Sequence, residues 1–496
     1  MLCALLIAPK AHAREWTIVG ARALGMGGAN VAVANDSTAS YWNPAAYAFF
    51  TSKEGGDYGK RKFSGSLDLG FGAQVHEDLG DQLNQIFQYN FDNLSGGTIS
   101  AADVTDFLGL IDSLKTFDEN ESRALTILGN GGFSVQFTRF GIGVYGFSDV
   151  SAKGDLDLVN ISPVTSGLTD VNIISQFATT SNFNSGISVP SGDYYLDSAT
   201  KQSLVSSISA MSGWDSTTAT NFVQAVDFGL SEAQAAGYDV PAVDTITGSV
   251  ESVAELASIA QTGGSIADNE SSLLFRGMLV TEVPLTYGYQ VTDDFAIGGN
   301  VKYMQARVYN AAVPIFNTDF SEALSAATDS YMDSSNFGID LGALYRLGDD
   351  LRFALVGRNL NSPAFDMEPL FAGDATELKE KFQARAGVAY KPVSFVTLAA
   401  DIDLTQNETT VSDDYKSQNI AIGAEVSLLK ILQLRAGAYK NIAQDDIGLV
   451  YTAGLGVNFW LFNVDFGASL SSDTTAIDDS DIPQEVKAEL AISTLF

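Results

Sequence analysis

The chain of 496 residues holds one cysteine, Cys3, and two histidines, His12 and His76. No disulfide, cysteine-rich zinc site or histidine-rich metal site can be built from that stock, so no cofactor or metal is expected. A Ser-His hydrolase would depend on His76 alone, and a lone histidine beside Glu77-Asp78 reads as a solvated surface residue. Basic charge is scarce: 27 Lys+Arg stand against 60 Asp+Glu, a formal net charge of -33. Phosphate contacts need clustered Lys and Arg, so nucleic acid is not an expected partner. Proline is sparse at 11 residues, while glycine is abundant at 46. Apolar runs of the ~18 residues needed for a membrane-crossing helix are also missing. A chain without a helical span can still cross as a closed barrel. Hydrophobic residues make up 46% and aromatics 10%, which excludes acidic disorder.

What is present begins with a short apolar run, Met1 to Ala8, followed by Ala11-His-Ala13. The small-x-small pattern reads as a signal-peptidase site, so residues 1–13 read as the remnant of a secretory signal, without its basic n-region. Cys3 lies inside the apolar run, which argues against a lipoprotein anchor.

The second half of the chain alternates with period two. Phe337, Ile339, Leu341, Ala343 and Tyr345 share one face, with Gly338, Asp340, Gly342 and Arg346 off it. Val396, Leu398, Ala400, Ile402 and Leu404 likewise oppose Asp401 and Asp403. An apolar face towards lipid and a polar or glycine face towards a lumen is the pattern of a membrane barrel. A soluble β-sandwich alternates too, but its strands run ~5–6 residues rather than ~10, without aromatics repeating at strand ends. The expected fold is all-β: a transmembrane antiparallel β-barrel of about 14 strands. The segments lie near 61–74, 130–138, 140–151, 272–289, 294–309, 335–347, 350–360, 381–391, 394–405, 418–429, 431–440, 447–459, 461–470 and 485–496. Short connections alternate with long ones, as expected when short periplasmic turns face longer external loops. The last apolar face carries Phe496 in phase, resembling the terminal aromatic read by the barrel-assembly machinery.

The barrel spans 61–496 and carries large insertions at 75–129 and 152–271, with helices expected near 79–91, 101–114, 200–212, 217–236 and 249–261. Acidic pairs at Asp413-Asp414, Asp445-Asp446 and Asp478-Asp479 lack Ca²⁺-loop spacing and read as solvated surface. Gly141-Ile-Gly-Val-Tyr-Gly146 fits a dinucleotide pattern, but no helix follows. Gly141 and Gly143 are therefore expected to face a crowded lumen. Charges of both signs fall on the lumen side: Lys302, Arg346, Arg358, Arg385 and Arg435 against Asp340, Asp401, Asp403, Glu425 and Asp465. They could form a basic site for a carboxylate ligand. Acids are as frequent as bases there, which favours mutual salt bridges.

The most specific stretch is Ala21-Arg-Ala-Leu-Gly-Met-Gly-Gly-Ala-Asn30, followed by Val31-Ala-Val-Ala-Asn-Asp36 and Tyr41-Trp-Asn-Pro-Ala45. Small residues allow tight backbone packing, Asn35-Asp36 marks a turn, and Asn43-Pro44 forces a bend. This stretch resembles the N-terminal signature of the FadL/PorV-like superfamily of outer-membrane barrels. Glu282 and Lys302-Tyr303 on two adjacent strands, with the length and the helical insertion, look like its conjugal-transfer TraF-like family. The resemblance implies that residues 14–60 form a lumenal plug or hatch containing Arg22, Gly25, Gly27, Gly28, Asn43 and Pro44. It implies a bacterial outer-membrane location, contact with outer-membrane lipid, no enzymatic activity, and uptake or passage of a hydrophobic small molecule. The alternative is an envelope assembly protein of a conjugation or secretion system, docking a partner through 152–271. A barrel lipase would need His76 beside a serine on one outer wall.

Overall fold

The computed structural model describes residues 14–50, 62–82, 122–157, 192–212, 215–235, 270–314, 328–370, 374–429, 431–477 and 480–495, with isolated positions between them. Residues 1–10 and 13 of the expected signal remnant, most of the helices at 79–91, 101–114 and 249–261, Lys430 and Phe496 lie outside the described residues, while Ala11 and His12 pair with Leu378 and Lys379.

Fourteen antiparallel strands close into one barrel. They are β1 (Phe63–Val75), β2 (Leu125–Phe137), β3 (Phe140–Asp155), β4 (Ser272–Gln290), β5 (Phe295–Pro314), β6 (Tyr331–Leu347) and β7 (Leu351–Arg358). The circuit continues with β8 (Gln383–Val393), β9 (Val396–Asp403), β10 (Asn419–Leu428), β11 (Leu432–Asn441), β12 (Val450–Asn458), β13 (Asn463–Ser471) and β14 (Glu485–Leu495). It closes where β14 pairs with β1, Leu69 opposite Leu490, so no edge is left open. Each strand found from the period-two pattern is present. The pattern also assigns faces correctly: Phe337, Ile339, Leu341 and Tyr345 are exposed, while Asp340 and Arg346 are buried on the other side.

Four strands run four or five residues past their expected limits, β2 and β6 at their starts and β3 and β5 at their ends. β2 starts five residues before 130, because Gly129 and Gly131 on its outer side interrupt the apolar face between Ile127 and Phe133. β6 starts four residues before 335, through Asp333-Ser334-Ser335, where the ladder continues without an apolar outer face.

Aromatic pairs gather at the end of the short turns. Phe63 meets Phe137, Phe140 meets Tyr287 and Phe459 meets Phe462, with centroids 5.1, 4.7 and 5.3 Å apart. Such rings suit a membrane–water boundary, where one edge is apolar and the other wet. No helix among the described residues is long and apolar enough to cross a membrane, which says nothing of the strands. The insertion between β3 and β4 contains two described helices, α3 (Ser198–Ser212) and α4 (Ser216–Ala235), so named because two short helices precede β1. Buried Asp227 of α4 accepts the backbone N–H groups of Tyr195 and Leu196 at 2.7 and 2.6 Å and pins the start of this unit.

Candidate functional site: the barrel lumen

Residues 14–50 lie inside the barrel and are almost wholly buried. Their path is set by three breaks in regular structure. Gly20 opens the short helix α1 (Ala21–Gly25), and Gly27 and Gly28 then take left-handed backbone with φ of 68° and 83°. After α2 (Ala39–Trp42), Asn43 caps a 3₁₀ turn, Pro44–Phe49, by accepting the N–H of Ala45 at 3.0 Å. The side-chain N–H of Asn43 also donates to the carbonyls of Val31 and of Ala343 in β6, both at 3.2 Å, tying segment to wall.

Small residues on the two sides face one another. A β-carbon on Gly25 would meet the α-carbon of Gly454 at 2.8 Å, and one on Gly423 would meet the Met26 carbonyl oxygen at 2.3 Å. Gly298 lies against Pro44 and Gly141 against the Tyr47 ring. Gly143 is packed on Tyr145. Large side chains fill the space left: Trp16, Trp42, Tyr47, Phe49 and Phe50 are essentially inaccessible, each worth about 1.5–3 kcal/mol of burial.

The charged residues fall into separate groups. In the first, the Glu282 carboxylate accepts from Arg14, from Lys302 at 3.1 Å and from Arg358 at 3.1 Å. Lys302 also reaches Asp340 at 3.3 Å, and Arg14 reaches Glu380 at 2.7 Å. Three cations thus meet three carboxylates. Arg358 further lies over the rings of Tyr41 and Trp16, at 4.1 and 5.2 Å. In the second group, Glu425 accepts from Arg22 at 2.8 Å and from Arg435 at 2.7 Å, and Arg435 donates to Asp465 at 2.6 Å. Two cations again meet two carboxylates.

The remaining expected residues are each bound locally. Arg385 makes a two-pronged contact with Asp403 at 2.6 and 3.1 Å. Asp401 accepts the backbone N–H groups of Asn30 and Val31 at 2.8 and 2.9 Å, anchoring the segment to β9. Arg346 sits apart at the short-turn end, donating to the Asp293 carbonyl at 2.7 Å with its guanidinium over Phe49. A basic site would need cations in excess, and the geometry instead matches each cluster charge for charge.

Sequence reasoning missed Arg14 and Glu380. Glu380 belongs to a loop expected outside, but the loop turns back and buries it to 4% exposure. His76 also departs from expectation: it is buried, not solvated, with Asp446 at 3.3 Å from Nδ1 and Thr126 at 3.0 Å from Nε2. Asp446 is correspondingly no surface acid, its side chain being 2% exposed, whereas its neighbour Asp445 is solvated at 95%. Residues 478–479 lie outside the described residues. Burial works against the Asp446 carboxylate, but the hydrogen bond and charge of His76 and the hydrogen bond from Tyr415 hold its pKa below the usual value. A depressed carboxylate contributes stability above its unfolded pKa of about 3.9 and loses it as pH falls through the lower folded value. Hydrogen exchange in loop 442–449 should therefore stay slow down to about pH 4 and rise only in stronger acid.

Cavities adjoin the lumenal segment at both ends. One of roughly 470 Å³ lies between α1, residues 30–38 and the short-turn end of the wall, with Arg22, Asp36, Asp68, Glu425, Arg435 and Asp465 in its lining. The other, of roughly 30 Å³, is enclosed at the opposite end by Glu15, His76, Thr126, Asp149, Tyr415, Tyr439 and Glu485 among others. The larger lining is mainly polar, and the smaller one mixes polar groups with Val411, Ile447 and Val450. Among the described residues no group of three or more His, Cys, Asp or Glu could hold a metal ion.

No curated protein matches the chain. Among solved structures it is similar to TbuX, the toluene transporter of Ralstonia pickettii, at 12% identity over 96% of this chain and 98% of that one, with a TM-score of 0.46. TodX, the toluene transporter of P. putida, is similar at 12% identity over 96% and 98%, with a TM-score of 0.43. A FadL homologue of Pseudomonas aeruginosa is similar at 10% identity over 99% of each chain, with a TM-score of 0.42. Residues 40–403 match the family described as F plasmid transfer operon, TraF, protein, a span of β-barrel that contains Glu282, Lys302 and Arg358. The chain therefore belongs to this TraF protein family.

Proposed function

We propose that the chain is a non-enzymatic barrel of the bacterial outer membrane, through which a small, largely hydrophobic molecule passes when residues 14–50 shift as a plug. The observation that carries this reading is a lumen occupied by the chain's own N-terminal segment, above a cavity of roughly 470 Å³. A volume of that size suits a small molecule rather than a polypeptide. Its lining holds acids and bases together, which favours a cargo with an uncharged polar end over an anionic one. Glycine-on-glycine contacts between plug and wall, such as Gly25 with Gly454, hold the segment by shape, while its ion pairs fix its register.

The test is mass spectrometry of protein extracted from membranes in mild detergent. A lipid-like molecule in near-stoichiometric amount is expected. Protein that carries none, across several detergents, would sink the transport reading.

A further inference from the structure

The buried His76 at the long-loop end begins a chain of hydrogen bonds that the transport reading does not use. Its Nε2 faces Thr126 Oγ1 at 3.0 Å. From there the contacts run to Ser151 Oγ at 2.7 Å, Thr410 Oγ1 at 2.8 Å and Asp149 Oδ1 at 2.6 Å. Thr126, Asp149, Ser151 and Thr410 are all buried, and Thr126, Asp149 and Thr410 border the small enclosed cavity.

Counting protons constrains this chain. Four links separate His76 Nε2 from Asp149, and each needs one proton between its heavy atoms. The three hydroxyls supply one proton each. The fourth must come from Nε2 of His76 or from the carboxyl of Asp149. On the other ring edge, Asp446 accepts from the Tyr415 hydroxyl at 2.8 Å and from the Glu77 N–H at 3.3 Å, so its free lone pairs make Nδ1 a donor. A proton on Nε2 therefore makes His76 an imidazolium. Moving it to Asp149 leaves a neutral imidazole and turns all three hydroxyls the other way.

We infer that Asp446, His76, Thr126, Ser151, Thr410 and Asp149 form a binding site for a single proton, shared between His76 Nε2 and Asp149, whose occupancy latches loop 404–418 to the barrel wall. Without that proton, three protons must serve four links, and two oxygens are left lone pair to lone pair. Thr126 and Ser151 face each other across β2 and β3 and are held by the ladder. Thr410 sits on the loop, so its contacts are the ones that give way. Loop 404–418 also contributes Tyr415, whose ring meets His76 edge-on at 4.7 Å.

Charged groups on several elements surround the site. Glu15 of the N-terminal segment and Glu485 of β14 line the same cavity, with Tyr439 of β11. Lys487 offsets them in part, at 3.4 and 3.0 Å. Glu77 and Asp78 follow His76 on its own segment, and Asp78 is paired with Arg123. Carboxylates outnumber cations around the site.

The test follows the imidazole nitrogens by NMR in the full chain carrying His12→Gln, which leaves His76 the one histidine. Asp149→Asn should lower the titration midpoint of His76 by about one pH unit or more. In a Thr126→Val background, which cuts the chain at its first link, adding Asp149→Asn should change nothing. Thr410→Val cuts the last link and should shift the midpoint in the same direction, which covers the case that Asp149→Asn fails to assemble. In parallel, hydrogen exchange of loop 404–418, corrected for its intrinsic pH dependence, should rise as pH passes upward through the midpoint. An unchanged midpoint in Asp149→Asn, or an equal shift with Thr126→Val present, would overturn the proposal, as would loop exchange that ignores the midpoint.

Discussion

Glu282→Ala is expected to destabilise the barrel by about 3–5 kcal/mol, the cost of leaving buried charge without its partner. Glu282 is the common acceptor of Arg14, Lys302 and Arg358, and each of these side chains is less than 5% exposed. After the substitution three cations share Asp340 and Glu380. Trp16 and Tyr41, themselves buried, pack over Arg358. Because Arg14 belongs to the lumenal segment and Lys302 and Arg358 to the wall, the same change should loosen the segment. The measurement is the urea midpoint in detergent micelles, with proteolysis of residues 14–50 as a second readout. Arg307→Ala is the control: its pair with Asp333 is open to solvent, and its loss should leave the midpoint nearly unchanged. A Glu282→Ala midpoint equal to that of the control would mean that the cluster is hydrated and carries little.

Gly27→Val should force the segment away from the wall. Gly27 has φ of 68°, a conformation that costs a β-branched residue about 1–3 kcal/mol. The new β-carbon would also lie 2.6 Å from the Ile422 carbonyl oxygen and 2.7 Å from that of Ala438. Both belong to the paired backbones of β10 and β11, which cannot retreat without breaking their ladder. Crowding adds about 1–3 kcal/mol. The segment is the part that can move, so a closed lumen should become leaky. Planar-bilayer conductance of the purified protein reads this directly: stepwise openings are expected in Gly27→Val and not in wild type. Gly146→Ala, whose nearest neighbour would be 3.9 Å away, should behave as wild type. If Gly27→Val keeps both wild-type conductance and stability, residues 14–50 do not seal the lumen.

Much of the wall was legible in the sequence. Phe337 to Tyr345 and Val396 to Leu404 declare their two faces because side chains alternate about a strand whatever it pairs with. Gly129 to Gly132 gave no such signal, and β2 was accordingly read too short. The lumenal charges were visible as residues, but their partners were not. Arg22 meets Glu425 across 403 positions of sequence and Arg14 meets Glu380 across 366. Nothing local selects Glu380 over any other acid in a long loop.

His76 is the sharpest case. Its neighbours Glu77 and Asp78 are polar, so the local reading was a solvated ring. Its burial comes from Tyr415 and Asp446, the latter 370 residues away. The sequence by itself determined that the wall is made of alternating strands, because that period is a local property of the extended backbone. Only closure of the barrel decided which charges neutralise one another and which histidine nitrogen meets which partner. Those are distances between remote strands and loops, and they exist only once β14 has paired with β1.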